Sequence, residues 1–268
     1  MNIKRYLSGF ILFPIFAIIM VFGNTYVIDI AISIVAILCL HEFYKAFQGK
    51  AKPIEWVGYI AAASIAIIHM IPSQLILSII AAIIPTSIMI LFVISIFSEM
   101  KYNIVDIAIT FFGICYIVLF LMFAPIIREN LPNGKILIWF VFFGAWGTDI
   151  FAYLIGKHFG KHKFTEISPN KSLEGCIAGV AGALIMILVY TFVCNQAFGT
   201  NMSYLYAGFI SILLSIVSQI GDLAASSIKR YCDIKDYSNL IPGHGGMLDR
   251  IDSVIFILPF AYFLLMLL

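Results

Sequence analysis

Charge is scarce in this chain: of its 268 residues only 11% are Asp, Glu, Lys or Arg, while 62% are hydrophobic. With a mean hydropathy of +1.05, that balance excludes an ordinary soluble domain. The formal net charge is only +2, too small to argue for a nucleic-acid partner. Cysteine is thin as well. Cys39, Cys115, Cys176, Cys194 and Cys232 are scattered and form no Cys-x-x-Cys pair, which argues against a zinc site or a disulfide framework and leaves them as small packing residues. No internal repeat or low-complexity tract is evident.

What the chain has instead is a series of apolar runs. A bilayer core of roughly 30 Å needs about 20 helical residues, so the expected fold is an all-α polytopic membrane protein. About nine spans are expected, near 6–22, 27–47, 56–71, 74–97, 104–127, 136–156, 176–194, 204–228 and 252–268. Turn formers such as Gly23-Asn24, Pro53, Pro72-Ser73 and Pro132-Asn133-Gly134 separate them. Pro14, Pro85, Pro125 and Pro259 fall inside runs, where a transmembrane helix tolerates them if neighbours satisfy the freed carbonyl. Lys4-Arg5 before the first run imitates a secretory signal, but the further spans make it read as an uncleaved first helix. Residues 1–135 would hold about five spans, and 136–268 a catalytic transmembrane region with polar loops at 157–175 and 229–251.

Basic residues set the orientation. With a cytoplasmic N-terminus, the inside segments carry all Lys and Arg except Arg128 and Lys135, which predicts an N-in, C-out chain. Both polar loops then face the cytoplasm.

Polar chemistry is concentrated late. From Asp222, helical steps reach Ser226 and Lys229, putting a carboxylate, a hydroxyl and an ammonium on one face. An Asp–Lys pair that merely stabilises the bundle would account for that stripe alone. Then His244-Gly245-Gly246 removes bulk so that backbone N–H groups can approach an anion such as a phosphate. Asp249, Asp252 and Ser253 follow at helical spacing. Carboxylates facing Lys and Arg suit a polyphosphate carried with a hard divalent cation.

Ser226 to Asp252 resembles the signature of phosphatidate cytidylyltransferases. Ser226, Ile228, Lys229 and Arg230 match its opening, Lys235, Asp236 and Ser238 its middle, and Ile241, Pro242, His244, Gly245, Gly246, Met247, Asp249, Arg250, Ile251 and Asp252 its close, with no departure over 27 residues. Asp149, Ala152, Tyr153, Gly156 and Gly160 resemble a second family segment. Ser168-Pro169-Asn170-Lys171-Ser172-Leu173-Glu174-Gly175 is similar to a third, with Asn170 in place of Lys and Ser172 in place of Thr. The family motifs cover roughly the C-terminal half of the chain.

The resemblance implies transfer of a cytidylyl group from CTP to phosphatidic acid, giving CDP-diacylglycerol and pyrophosphate, in a multi-pass protein of the inner membrane with its active site facing the cytoplasm. It implies catalytic roles for Asp222, Asp249, Lys229 and Arg250. It assigns substrate contacts to Lys171, Ser226, Arg230, Lys235, His244, Gly245, Gly246, Asp149 and Asp252. It implies Mg²⁺ on Asp222 and Asp249, with a second cation such as K⁺ in some members. The oligomeric state is left open, and a homodimer is compatible with it. An ion-coupled transporter is a rival, since intramembrane carboxylates mark ion paths, and so is a CTP-dependent lipid kinase. The Asp-Gly-x-x-Ala-Arg pattern of CDP-alcohol phosphotransferases is absent.

Several other groups are expected to be structural. His41, Glu42 and Tyr44 read as an interfacial anchor. His69 reads as a loop residue, Asp29 and Asp106 as carboxylates within reach of solvent, and Trp56 and Trp139 as belt aromatics.

Overall fold

The computed structural model describes residues 14–169, 171–241, 243 and 245–266, and no β-strand occurs among them. The expected first span falls partly outside this range, with helix at 14–22 (α1). The helices that follow are α2 (Thr25–Ala46), α3 (Glu55–Ala63), α4 (Ser73–Phe97), α5 (Ile104–Asn130), α6 (Gly134–Phe159), α7 (Leu173–Phe198), α8 (Tyr204–Tyr231) and α9 (Leu248–Leu265). Six of them, α2 and α4 to α8, are long and apolar enough to cross a membrane. The chain is a polytopic, all-helical membrane protein.

Two departures from regular α-helix mark the first half. After α3 the chain winds as a 3₁₀ helix over Ser64–Met70. The tighter winding rises faster per residue, so this 16-residue apolar piece reaches about 27 Å. Within α5, Ile114–Leu119 forms a π turn ahead of Pro125, which lies inside the helix together with its freed carbonyl.

The chain divides into two compact units, one of Met1–Pro125 with Tyr231–Ile251, the other of Ile126–Arg230 with Asp252–Leu268.

In the first unit Tyr44 is the organising side chain. It is fully buried, and its hydroxyl donates to the Thr110 carbonyl at 3.0 Å. Room for the ring comes from two glycines: a Cβ on Gly58 would lie 2.3 Å from its hydroxyl oxygen, and one on Gly113 would lie 2.6 Å from Cε1. Phe43 packs beside it against Phe47, Phe112 and Tyr116. The interfacial-anchor reading is therefore wrong for Tyr44. His41 alone of that trio is exposed, and it bonds Tyr59.

The carboxylates of this unit are also deeper than expected. Asp29 is 0% exposed and bonded to His69, so His69 is an interior partner and not a loop residue. Asp106 is 2% exposed. It closes a capping box with Asn103 at the start of α5 and accepts the Lys52 N–H at 2.6 Å. A buried carboxylate needs donors, and in both places the chain supplies them from a distant segment.

In the second unit α6 packs along α7. Small residues let the backbones approach: a Cβ on Gly147 would lie 2.9 Å from the Ala183 Cα, and one on Gly182 would lie 2.4 Å from Phe151. Thr148 donates to Ser215 at 2.7 Å, tying α6 to α8.

Candidate functional site

The second unit holds seven of the expected site residues, Asp149, Lys171, Asp222, Ser226, Lys229, Arg230 and Asp252. Lys171 precedes α7, and its position is fixed by its neighbour Ser172, the N-cap of that helix, whose hydroxyl accepts the Gly175 N–H at 3.1 Å. The same hydroxyl lies over the end of α6. A Cβ on Gly156 would stand 3.1 Å from it and one on Gly160 2.6 Å. The glycine spacing of the α6 segment and the hydroxyl of the following loop thus serve one contact. Glu174 braces the loop by accepting from His162 Nδ1 at 2.6 Å and from the Lys161 and His162 amides.

From that position Lys171 pairs with Asp222 of α8. Both side chains are partly exposed, 24% and 28%. The sequence pointed to Lys229 as the helical neighbour of Asp222 and gave no sign of a pairing with Lys171, whose ammonium reaches that carboxylate from the loop before α7. Asp252, 6% exposed, feels the charges of Asp222, Lys229 and Asp149. Ser253 links two of these carboxylates, donating to Asp149 at 3.4 Å with Asp252 Oδ1 at 3.3 Å. One turn before Asp222 on α8, the Ser218 hydroxyl is buried without a hydrogen-bond partner. Ser226 is half-buried and Arg230 exposed on the same helix.

The first unit holds the rest. Asp249, 8% exposed in the first turn of α9, accepts the N–H of Tyr237 at 2.8 Å and of Gly246 at 3.1 Å through Oδ2. Gly245, at φ +85°, adopts a conformation that favours glycine, and its carbonyl accepts the Ile241 N–H at 2.9 Å to close the loop. His244 lies outside the described residues, as does Asn170. The glycine loop was expected to turn its amides toward a phosphate. The anions that its described amides meet are the chain's own carboxylates, Asp249 at Gly246 and Glu42 at Met247. Lys235 and Arg250 are exposed.

The interfacial-anchor reading fails for Glu42 as well, which is buried among loop donors. It is 2% exposed and accepts from Ser238 Oγ at 2.6 Å, Met247 N at 2.9 Å and Leu248 N at 2.8 Å. A glutamate near the end of an apolar run, with basic residues close by, looks like a surface group. Lys45, three residues on in the same helix, offers it a helical-spacing partner, so no local pattern sets it apart.

Outside the spans, Lys50 holds Asp233 at 2.7 Å and lies 4.7 Å from the Tyr231 ring. That hydrogen bond raises the Lys50 ammonium above its ordinary value. Burial pushes the neighbouring Cys232 thiol up.

Among the described residues no three His, Cys, Asp or Glu side chains form a closed metal cluster. Mg²⁺ does not require one, because it keeps several waters and takes one or two carboxylates together with substrate phosphates. Asp222, partly exposed beside an ammonium that can move to a phosphate, suits that demand. In Asp249 the Oδ2 atom is committed to two amides.

A model of the cytidylyltransferase family matches residues 3–268. Similar proteins include a phosphatidate cytidylyltransferase of Bacillus subtilis (strain 168), 42% identical over 140 residues, which are 52% of this chain and 51% of that protein. Another, of Staphylococcus aureus (strain COL), is 37% identical over 172 residues, 64% of each chain. One of Staphylococcus haemolyticus (strain JCSC1435) matches to the same extent. The chain thus spans about half the length of the Bacillus relative and 64% of the staphylococcal ones.

Proposed function

Since this chain belongs to the cytidylyltransferase family, we propose that it transfers a cytidylyl group from CTP to phosphatidic acid. The lipid phosphate oxygen bonds to the α-phosphorus, the bond from that phosphorus to the bridging oxygen breaks, and pyrophosphate leaves. Such a displacement needs in-line placement and charge neutralisation more than a protein nucleophile.

In this reading Lys171, Lys229, Arg230, Lys235 and Arg250 neutralise the triphosphate and lipid phosphate, with Ser226, His244, Gly245 and Gly246 as further contacts. Lys171 is held by Asp222 until substrate phosphate competes for it. Asp149 and Asp252, joined through Ser253, fix the polar ends of α6 and α9 in the second unit. Asp222 and Asp249 are the ligands we assign to Mg²⁺, which when bound supplies positive charge against the phosphates.

The finer topology belongs to the same proposal. It has nine spans, a cytoplasmic N-terminus and an active site on the cytoplasmic face of the inner membrane. The excess of Lys and Arg in alternate connections supports it. That placement lets a water-soluble nucleotide meet a lipid whose head group stays at the surface.

The observation that carries the proposal is the Lys171–Asp222 pair, which joins two separately recognised motifs, beside Asp149, Lys229 and Asp252. It is tested by incubating the purified protein with Mg²⁺, phosphatidic acid in mixed micelles and base-labelled CTP, ATP, GTP or UTP. Label should enter the lipid phase from CTP alone and stop on chelation. Equal incorporation from all four, or from none, contradicts the reading.

A further inference from the structure

Glu42 has no part in the scheme so far, yet from α2 its carboxylate accepts three hydrogen bonds from the first unit's polar loop and the start of α9. Two of its three donors, the Met247 and Leu248 amides, belong to the N-terminus of α9. Amides there have no acceptor within their own helix, and a carboxylate both satisfies them and faces the positive end of the helix dipole. The cap comes from α2, roughly 200 residues earlier in the chain. The third donor, Ser238 Oγ, ties in the opposite wall of the loop. Gly246 lies against the carboxylate so closely that a Cβ there would stand 2.6 Å from Oε2. The Gly246 N–H in turn donates to Asp249. One side chain therefore fixes Ser238, Gly246, Met247 and Leu248, and the next two residues are Asp249 and Arg250.

We infer that Glu42 is a positioning residue for the transfer reaction, which sets the direction of Asp249 and Arg250 by holding the glycine loop and the first turn of α9. The inference rests on the assignment of those two residues to the reaction. It also gives Gly246 a reason distinct from phosphate approach: only glycine leaves room for the Glu42 carboxylate.

The side chain has little latitude. In a Glu42→Gln variant the amide NH₂ faces a backbone N–H in either orientation, placing donor against donor. In Glu42→Asp the carboxylate is one methylene short.

The test uses the full chain in detergent and two readouts. Hydrogen exchange in the segment holding Met247 and Leu248 should be at least about tenfold faster in Glu42→Gln than in wild type, roughly one lost hydrogen bond of protection, with α6 and α7 unchanged. Steady-state assays should show kcat at least about tenfold lower, with KM for CTP within about twofold, the pattern of an interaction expressed in the transition state. Unchanged exchange at 247–248, or a kcat within twofold of wild type, overturns the inference.

Two further variants cover a poorly folding Glu42→Gln. Ser238→Ala removes one donor and leaves the helix cap, so kcat should fall roughly fivefold. Gly246→Ala should be tolerated better in a Glu42→Ala background than alone, because the Cβ then has space. Multiplying losses, or no effect at Ser238, contradicts the inference. Exchange needs no turnover. If the wild-type protein made no lipid-linked nucleotide, the transfer reading would fail, and exchange would still decide whether Glu42 holds the loop.

Discussion

Lys171 pairs with Asp222, and in doing so joins the loop before α7 to the polar face of α8. Each group lowers the cost of burying the other's charge, and each is withdrawn from water by only about three quarters. If the pair is the resting state of a phosphate site, then Asp222→Asn and Lys171→Met should each lower turnover about a hundredfold, the scale of losing one preorganised charge. The double variant should lose little more than either single one, because the two act together. Initial rates measured on equal amounts of folded protein check this, and fully multiplying losses would separate the two residues.

Burial of Asp29 beside His69 predicts a stability effect with no change in chemistry. Asp29→Leu leaves an imidazole without its carboxylate and should destabilise the first unit by about 3 kcal/mol, whereas Asp29→Leu with His69→Leu should recover much of that loss. Thermal unfolding in detergent measures it. A double variant worse than Asp29→Leu would show that the pair is not coupled.

Close packing in the second unit gives a steric prediction. A Cβ on Gly221 would lie 2.5 Å from the Phe256 Cβ, so Gly221→Ala should destabilise by about 1–3 kcal/mol. Thinning the opposite side chain cannot relieve a clash with its Cβ, so adding Phe256→Leu should not raise the melting temperature above that of Gly221→Ala alone. Melting temperatures of the three proteins decide it.

Cys232 is 7% exposed, and burial raises its thiol above the ordinary value. Only the thiolate reacts with maleimides. With Cys232 as the sole cysteine, labelling should therefore stay slow up to about pH 8.5, where a free thiol is half ionised, and quicken only at higher pH. Half-maximal rate at or below that point would contradict the buried placement.

Much of this arrangement is visible in the residues before any coordinates. Long apolar runs foretell α2 and α4 to α8, because the bilayer leaves a chain little choice but helix. Asp222, Lys171, Asp149 and Asp252 stand out because ionisable groups in so apolar a chain must find partners. What periodicity does not carry is the identity of those partners. Helical spacing directs Asp222 to Lys229 and says nothing of Lys171, its ion-pair partner from a loop about fifty residues earlier in sequence. Glu42 and Tyr44 look superficial because their donors and their glycine pockets lie in segments that local pattern does not connect. The 3₁₀ and π turns are hidden for a similar reason, since both windings use the same apolar residues as an α-helix.

The most direct measurement follows the phosphorus atoms. With phosphatidic acid and Mg²⁺, CTP labelled at the α-phosphorus should pass its label into the lipid phase, while CTP labelled at the γ-phosphorus should release its label as pyrophosphate, and Asp222→Asn should do both about a hundredfold more slowly. Transfer of γ-label to the lipid would make the protein a lipid kinase and contradict the account.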